Sequence, residues 1–287
     1  MIRDYLALTK PRLTSLVLAT VAFGYVLGSG DVIDKLGLFQ VLLGVALVAG
    51  GGGAMNMVME KDLDGLMMRT RNRPLPAHRL KPAPALFFGL ALSAAGMGHL
   101  AYRLDLHTAG LALAAWLCYV AVYTPLKVLT FFNTWVGAVT GALPPLIGWS
   151  AATGGRLAPG AWGLFAILFV WQMPHFFALA CIYRDDYTRA GFKMLGAMKN
   201  QGRLAEGQIL FWSLALVPVT WIPVWTGLAG GIYAASALAL GAMFLPLAVR
   251  LYYTRAPKDG QRVFLSSLAY QPLLFIILIW DRHLGAL

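Results

Sequence analysis

Three oxygen-bearing side chains, Asn56, Glu60 and Asp64, recur at four-residue intervals where a long apolar run ends, and Arg69, Arg71 and Arg73 come directly after them. If that run stays helical for one more turn, positions i, i+4 and i+8 fall within an arc of about 80° and line one helix face. Asp62 points elsewhere. Amide and carboxylate oxygens without His or Cys suit a hard ion. Magnesium, which keeps several waters and bridges to substrate phosphates, is the natural candidate. The planar fork of Arg matches phosphate oxygens two at a time. Arg69 and Arg73, four residues apart, can face one site, whereas Arg71, Arg79 and Lys81 read as anchors at a membrane surface. Acids for a metal and arginines for its anion describe a diphosphate site. The three acids alone would equally describe a solvated helix end.

A second cluster of the same kind stands at YRDDYTRAGFKML, residues 183–195, where Asp185 and Asp186 lie among Arg184, Arg189 and Lys193. Together the clusters suggest a two-part metal–diphosphate site at one membrane face, where a hydrocarbon tail could lie in lipid while its head stays wet. Between them, residues 123–149 carry Lys127 and Asn133 at a turn, then Gly137, Gly141 and the pair Pro144-Pro145. Small residues and prolines bend or thin a helix and let neighbours approach, for packing or for a ligand. Gly50 to Gly53 invite the same two readings: tight helix contact, or a cavity above Asn56. His175 comes after Pro174 inside an apolar stretch, and an imidazole at membrane depth needs a partner. Three roles stay open for it: a hydrogen-bonded structural group, a tetrapyrrole contact, or proton transfer.

These residues must be held by membrane helices. Of 287 residues, 59% are hydrophobic and only 12% charged, far from the composition of a soluble domain. Nine uncharged stretches are long enough to cross about 30 Å of hydrocarbon: 13–28, 37–59, 83–102, 108–124, 133–152, 161–183, 208–226, 229–249 and 263–280. The net charge of +11 raises the question of nucleic acid, and its distribution answers it. With a cytoplasmic N-terminus, Lys35, Arg103, Arg156 and Arg282 are the only basic residues outside, and the other nineteen, Lys199 among them, are inside. That is the positive-inside pattern of a multi-pass protein whose C-terminus lies outside; it reports contact with anionic headgroups and phosphates, with no nucleic acid partner, and the cell inner (plasma) membrane is the expected location. The first stretch has no cleavage pattern and reads as a retained helix. Cys118 and Cys181 fall within spans and read as core cysteines. No loop is long enough for a second domain, so 1–287 is expected to form a single transmembrane domain, all-α and polytopic.

The chain resembles the protoheme IX farnesyltransferases, or heme O synthases, within the intramembrane prenyltransferases of the ubiquinone-biosynthesis type. The likeness is carried by LTKPRLT (8–14), NMVMEKDLDGLMMRTRNRPLP (56–76), the 123–149 stretch, WQMPHFFALA (171–180) and YRDDYTRAGFKML, in that order, and is weak over the last three spans. It implies nine transmembrane helices around a central cavity, an active site near the cytoplasmic face, and Mg2+ bound with diphosphate by two acidic motifs. The implied reaction transfers a farnesyl group from farnesyl diphosphate to a vinyl carbon of heme b, giving heme O and diphosphate. Asn56, Glu60, Asp64, Asp185 and Asp186 would be the catalytic metal ligands, and Arg69, Arg73, Lys193 and Arg184 the diphosphate-binding set. His175, with Lys127 and Arg12 at the propionates, would meet the heme. A heme A synthase or terminal oxidase assembly is the candidate protein partner. Two departures stand out. The superfamily's first motif, N-x-x-x-D-x-x-x-D, has Glu60 in the middle here, and its second, D-x-x-x-D, has Tyr183 and Tyr187 at the two acidic positions, with Asp185 and Asp186 between them. Competing readings are prenylation of a quinone precursor or a chlorophyllide and, from another class, a heme or ion transporter with broken helices.

Overall fold

The computed structural model describes residues 1–30, 32–197 and 203–284, and every regular element among them is helical. Lys199, one of the inner basic residues, lies outside them, as do the last three residues. Among the described residues, eight helices are long and apolar enough to cross a membrane. The ninth expected span, 133–152, is present as two ten-residue helices, because Pro144 supplies no amide proton to continue the ladder beyond Leu143. The chain divides into two compact units, one comprising 1–157 and 189–192, the other 158–188 and 193–287.

In the first unit, a short helix α1 (Ile2–Leu8) leads through Lys10, which has a left-handed backbone (φ 50°), into α2 (Pro11–Gly28), with Pro11 in the first turn where a missing N–H costs nothing. Then come α3 (Lys35–Met59), α4 (Lys61–Leu66), α5 (Pro82–Arg103) and α6 (Leu106–Leu117). A π-helical segment, Cys118–Tyr123, continues α6 into α7 (Thr124–Leu129), and α8 (Asn133–Ala142) and α9 (Pro144–Thr153) complete the unit. The helices α2 and α9 cross at backbone contact: a Cβ on Gly148 would stand 1.9 Å from the carbonyl oxygen of Val21, and one on Gly24 2.0 Å from that of Pro145. The same holds for α3 on α5, where a Cβ on Gly51 would meet Ser93 Oγ at 2.2 Å and the Gly89 carbonyl at 2.6 Å. Of the two readings of the glycine run, tight helix contact is therefore the one seen at Gly51. Without a hydrophobic effect between helices in lipid, such close van der Waals approach is what holds spans together. Val21, Tyr25, Val41, Val45, Val48, Leu100, Ala112 and Ile147 fill the space between these helices.

The second unit contains α10 (Pro159–Ile182), α11 (Arg184–Arg189), α12 (Leu204–Val219), α13 (Ile222–Trp225), α14 (Gly231–Thr254) and α15 (Pro257–Leu284). Helix α10 packs on α12 and α15, and α14 packs on both of those. Cys118 and Cys181 are unpaired and partly buried.

Candidate active site

The oxygen stripe forms, and its helix bends at the middle member. Helix α3 ends at Met59, and Glu60 (φ −97°, ψ 7°) caps both it and α4. The hydrogen-bond ladder passes through the joint, since Glu60 N–H donates to Asn56 O at 2.9 Å and Asp64 N–H to Glu60 O at 2.7 Å. The i, i+4, i+8 register therefore survives. Asn56 and Asp64 are fully buried and Glu60 is 5% exposed. Asp62 is 85% exposed and meets only Lys61.

Each member of the stripe carries a cationic partner, and each partner comes from a different part of the first unit. Beyond α4, the hydroxyl of Thr70 donates to the Asp64 carbonyl (2.8 Å), and the next turn brings Arg73 Nη1 to 2.6 Å from Asp64 Oδ2. From α7, Lys127 Nζ reaches Glu60 Oε1 at 2.7 Å and lies 4.6 Å from the centre of the Tyr123 ring. From the residue before α2, Lys10 Nζ donates to Asn56 Oδ1 and, at 3.1 Å, to the Tyr119 hydroxyl. The Asn56 amide nitrogen then donates to Thr124 Oγ1 (2.9 Å), whose own proton goes to the Tyr119 carbonyl (2.9 Å). With Lys10 protonated, its ammonium has no acceptor, so the Asn56 carbonyl faces Lys10 and its NH2 faces Thr124.

Lys10 adopts a backbone conformation rare for a residue with a Cβ, and such conformations persist where the surroundings over-determine them. Burial is the main influence on its ammonium, and the nearby charges of Arg73 and Lys127 act in the same direction. Glu60 and Asp64 oppose them, and the amine is pulled down from its ordinary value to about 7. The π-helical turn places Tyr119 and Tyr123 as a stacked pair, ring centres 5.9 Å apart. Gly137 gives Tyr123 its room, as a Cβ there would come within 2.8 Å of the ring. π-bulges inside α-helices recur at functional sites, where they re-aim side chains.

One atom of this set is left over. Asp64 Oδ1 is buried with no hydrogen-bond partner. A buried carboxylate oxygen without a donor costs on the order of 1–3 kcal/mol, more when charged, unless something else meets it. Two carboxylates, one of them with this free oxygen, and an amide oxygen form a donor set suited to a hard divalent ion that completes its shell with water and substrate oxygens. Among the described residues no group of three or more His, Cys, Asp or Glu gathers, so an ion held only by protein side chains is not what this geometry offers.

The other expected site residues are dispersed over both units. Arg69 and Arg12 are exposed. Lys127, expected at the heme propionates, is bonded to Glu60. In the second unit, Asp186 is 9% exposed and Asp185 is open to solvent, as is Lys193. Arg184 donates to the carbonyl of Gly196 (2.9 Å), which ties the loop after α11 back to the end of α10. His175 on α10 meets Ser267 on α15, its Nδ1 2.8 Å from the hydroxyl. Lys10, Tyr119 and Thr124 escaped the sequence reading as site residues. The fragments LTKPRLT and YTPLK that flank them were visible, but nothing in their spacing says that they converge on Asn56.

Taken by themselves, fold and site define a polytopic helical membrane protein with a buried acidic stripe lined by cations. The sequence comparisons narrow this. Residues 17–276 match the model of the UbiA prenyltransferase family, and the chain belongs to that family. A relative from Solibacter usitatus named protoheme IX farnesyltransferase is 40% identical, across 98% of this chain and 99% of its own. One of the same name from Myxococcus xanthus is 41% identical, across 97% and 94%. Among solved structures, a digeranylgeranylglyceryl phosphate synthase superposes with a TM-score of 0.83 at 16% identity, covering 98% of both chains. A UbiA homologue from Archaeoglobus fulgidus, bound to DMAPP and Mg2+, gives 0.64 at 16% identity, covering 96% of this chain and 99% of its own.

Proposed function

We propose that this prenyltransferase moves a farnesyl group from farnesyl diphosphate to a vinyl carbon of heme b, giving heme O and diphosphate. The observation that carries the donor half is the buried stripe Asn56–Glu60–Asp64 bonded to Lys10, Lys127 and Arg73. The acceptor rests on relatives of about 40% identity over nearly the whole chain that carry the protoheme IX farnesyltransferase name. Magnesium, when bound, would neutralise diphosphate charge and act as a Lewis acid on the departing oxygens. Asn56, Glu60 and Asp64 would hold it, with the orphaned Asp64 Oδ1 as the most exposed need. The DMAPP and Mg2+ in the Archaeoglobus fulgidus homologue support this requirement. In the second motif, the burial of Asp186 makes it the better candidate ligand of the acidic pair.

The chain's own residues then act on charge. Arg73 and Lys127 balance the two carboxylates, and Lys10, whenever it is protonated, adds a positive charge that a diphosphate would meet. As the carbon–oxygen bond of the donor breaks, negative charge collects on the leaving diphosphate, and Arg73, Lys127 and Lys10 stabilise it where it forms. Lys10, whose charge burial opposes, gains most from an anion beside it. Arg69, Arg184 and Lys193 belong to the same proposed diphosphate set. The allylic carbon is attacked by the vinyl group of the heme, and water adds to the cation so formed and loses a proton, leaving a hydroxyl beside the farnesyl chain. His175, with Arg12 at a propionate, is the proposed heme contact.

The charge distribution supports an inner-membrane protein with its N-terminus cytoplasmic and its C-terminus outside. Eight continuous spans and one broken one, an odd number, agree with opposite termini. To test the function, purified protein is incubated with heme b, magnesium and farnesyl diphosphate, and the heme mass is read. The expected product is a hydroxyethylfarnesyl heme. An aromatic acid or quinone precursor prenylated in preference to heme would overturn the acceptor, and transport of heme without diphosphate release would overturn the reaction.

A further inference from the structure

His175 is held on three sides within the second unit. Its ring stacks on Trp171 (centroids 5.1 Å, planes 23° apart) and on Phe264 (4.8 Å, 30°), so two aromatic rings fix the imidazole plane. Its Nδ1 lies 2.8 Å from Ser267 Oγ. Trp171 Nε1 donates to the Ser267 backbone carbonyl at 2.9 Å, so both Trp171 and His175 on α10 are registered to one residue of α15.

Proton counting fixes the tautomer. Ser267 has one hydroxyl proton, and its Oγ is 2.6 Å from the carbonyl oxygen of Phe264. A carbonyl has no proton to give, and two oxygens at that separation with none between them would repel. The hydroxyl proton must therefore point at Phe264. A lone pair of Oγ faces His175, and the 2.8 Å contact needs the proton to sit on Nδ1. In a neutral ring Nε2 then carries the free lone pair, and no described residue hydrogen-bonds to it. A neutral imidazole with Nδ1–H on an oxygen acceptor and Nε2 open is the form in which histidine binds a metal.

We propose that Ser267 is a positioning residue for the heme: it accepts the Nδ1 proton of His175 and so presents Nε2 to the heme iron. The assignment rests on the reading of heme b as acceptor. It gives the fully buried Ser267, which no motif marks, a defined task. The hydrogen bond also makes the imidazole a stronger donor to iron, as carboxylate and carbonyl partners do for other metal-bound histidines.

Full-length protein in lipid nanodiscs is titrated with protoheme while the Soret band is followed, and the iron–imidazole stretch of the ferrous complex is read by resonance Raman. Ser267→Ala is expected to weaken heme binding by roughly 10-fold to 100-fold and to move that stretch to lower frequency. Ser267→Thr, which keeps an oxygen at the same place, should restore both. His175→Ala should lose the stretch, and added imidazole should return it. Magnesium-dependent binding of farnesyl diphosphate, read on the same samples, shows that each variant is folded. Wild-type affinity and an unchanged stretch in Ser267→Ala would overturn the proposal, as would a wild-type complex that makes heme O yet shows no imidazole on iron. Wild-type protein that neither binds nor farnesylates heme would instead sink the acceptor reading itself.

Discussion

Asp64→Asn tests the donor site most directly, because it changes one charge and almost no volume. Asp64 is fully buried, and its Oδ2 lies 2.6 Å from Arg73 Nη1. At an effective dielectric of about 20, two unit charges at that separation attract by roughly 6 kcal/mol before desolvation is counted. Removing one partner of a buried pair typically costs about 3–5 kcal/mol. Arg73 keeps 24% of its side chain exposed, so water can meet part of its charge, and the expected loss of stability is about 3 kcal/mol. The loss of activity has a separate origin. Asn offers one carbonyl oxygen in place of two carboxylate oxygens and brings no charge to a divalent ion, so turnover should fall by at least about 100-fold, the scale of losing one preorganised electrostatic contact. The two effects are separated by adding Arg73→Met to Asp64→Asn. That pair should recover most of the thermal stability, since no unpaired charge remains, and should recover no turnover. Thermal unfolding in detergent and mass detection of prenylated heme across a magnesium titration provide the readouts. Full turnover in Asp64→Asn at the wild-type magnesium requirement would refute the assignment of this stripe to the metal.

The same geometry makes further expectations testable. Glu60→Gln should reduce transfer by about 100-fold and leave Lys127 without a carboxylate, whereas Glu60→Asp, the shorter acid at the superfamily position, should retain measurable turnover; equal rates for both would show that charge at this position is unimportant. Asp62→Asn should leave turnover unchanged and shift stability by no more than about 0.5 kcal/mol, because its side chain is 85% exposed and meets only Lys61. Gly148→Ala should destabilise the first unit by at least about 1–3 kcal/mol, since its Cβ would stand 1.9 Å from a backbone oxygen that no rotamer change can move, and thermal unfolding measures this. Chelation of divalent ions should stop farnesyl transfer and added magnesium should restore it; transfer that survives chelation would argue for purely cationic activation of the diphosphate.

Much of this protein is legible in its sequence, because the bilayer imposes rules that act on local composition. A span must be apolar for about 20 residues and must satisfy its own backbone. The nine stretches read from hydropathy accordingly coincide with the observed helices to within a few residues at most ends, including the one split at Leu143–Pro144. The register of Asn56, Glu60 and Asp64 was legible for a similar reason: helical periodicity is a property of neighbours in sequence, and it survives even the joint at Glu60. Arg73 was legible as a residue facing the same site, but which cation would answer which oxygen was not. Arg73 is nine residues from Asp64, Lys127 is 67 from Glu60 and Lys10 is 46 from Asn56, and only packing of α2, α3 and the α6–α7 turn brings their side chains together. Lys127 read as a residue of a turn because its span ends there, but on α7, which follows the π-helical turn at Cys118–Tyr123, it reaches the buried Glu60. Ser267 carried no sequence signal at all, and its meeting with His175 across 92 residues is a fact of helix packing. Local chemistry thus named the oxygens of the site, and tertiary contact alone decided which charges and hydroxyls stand beside them.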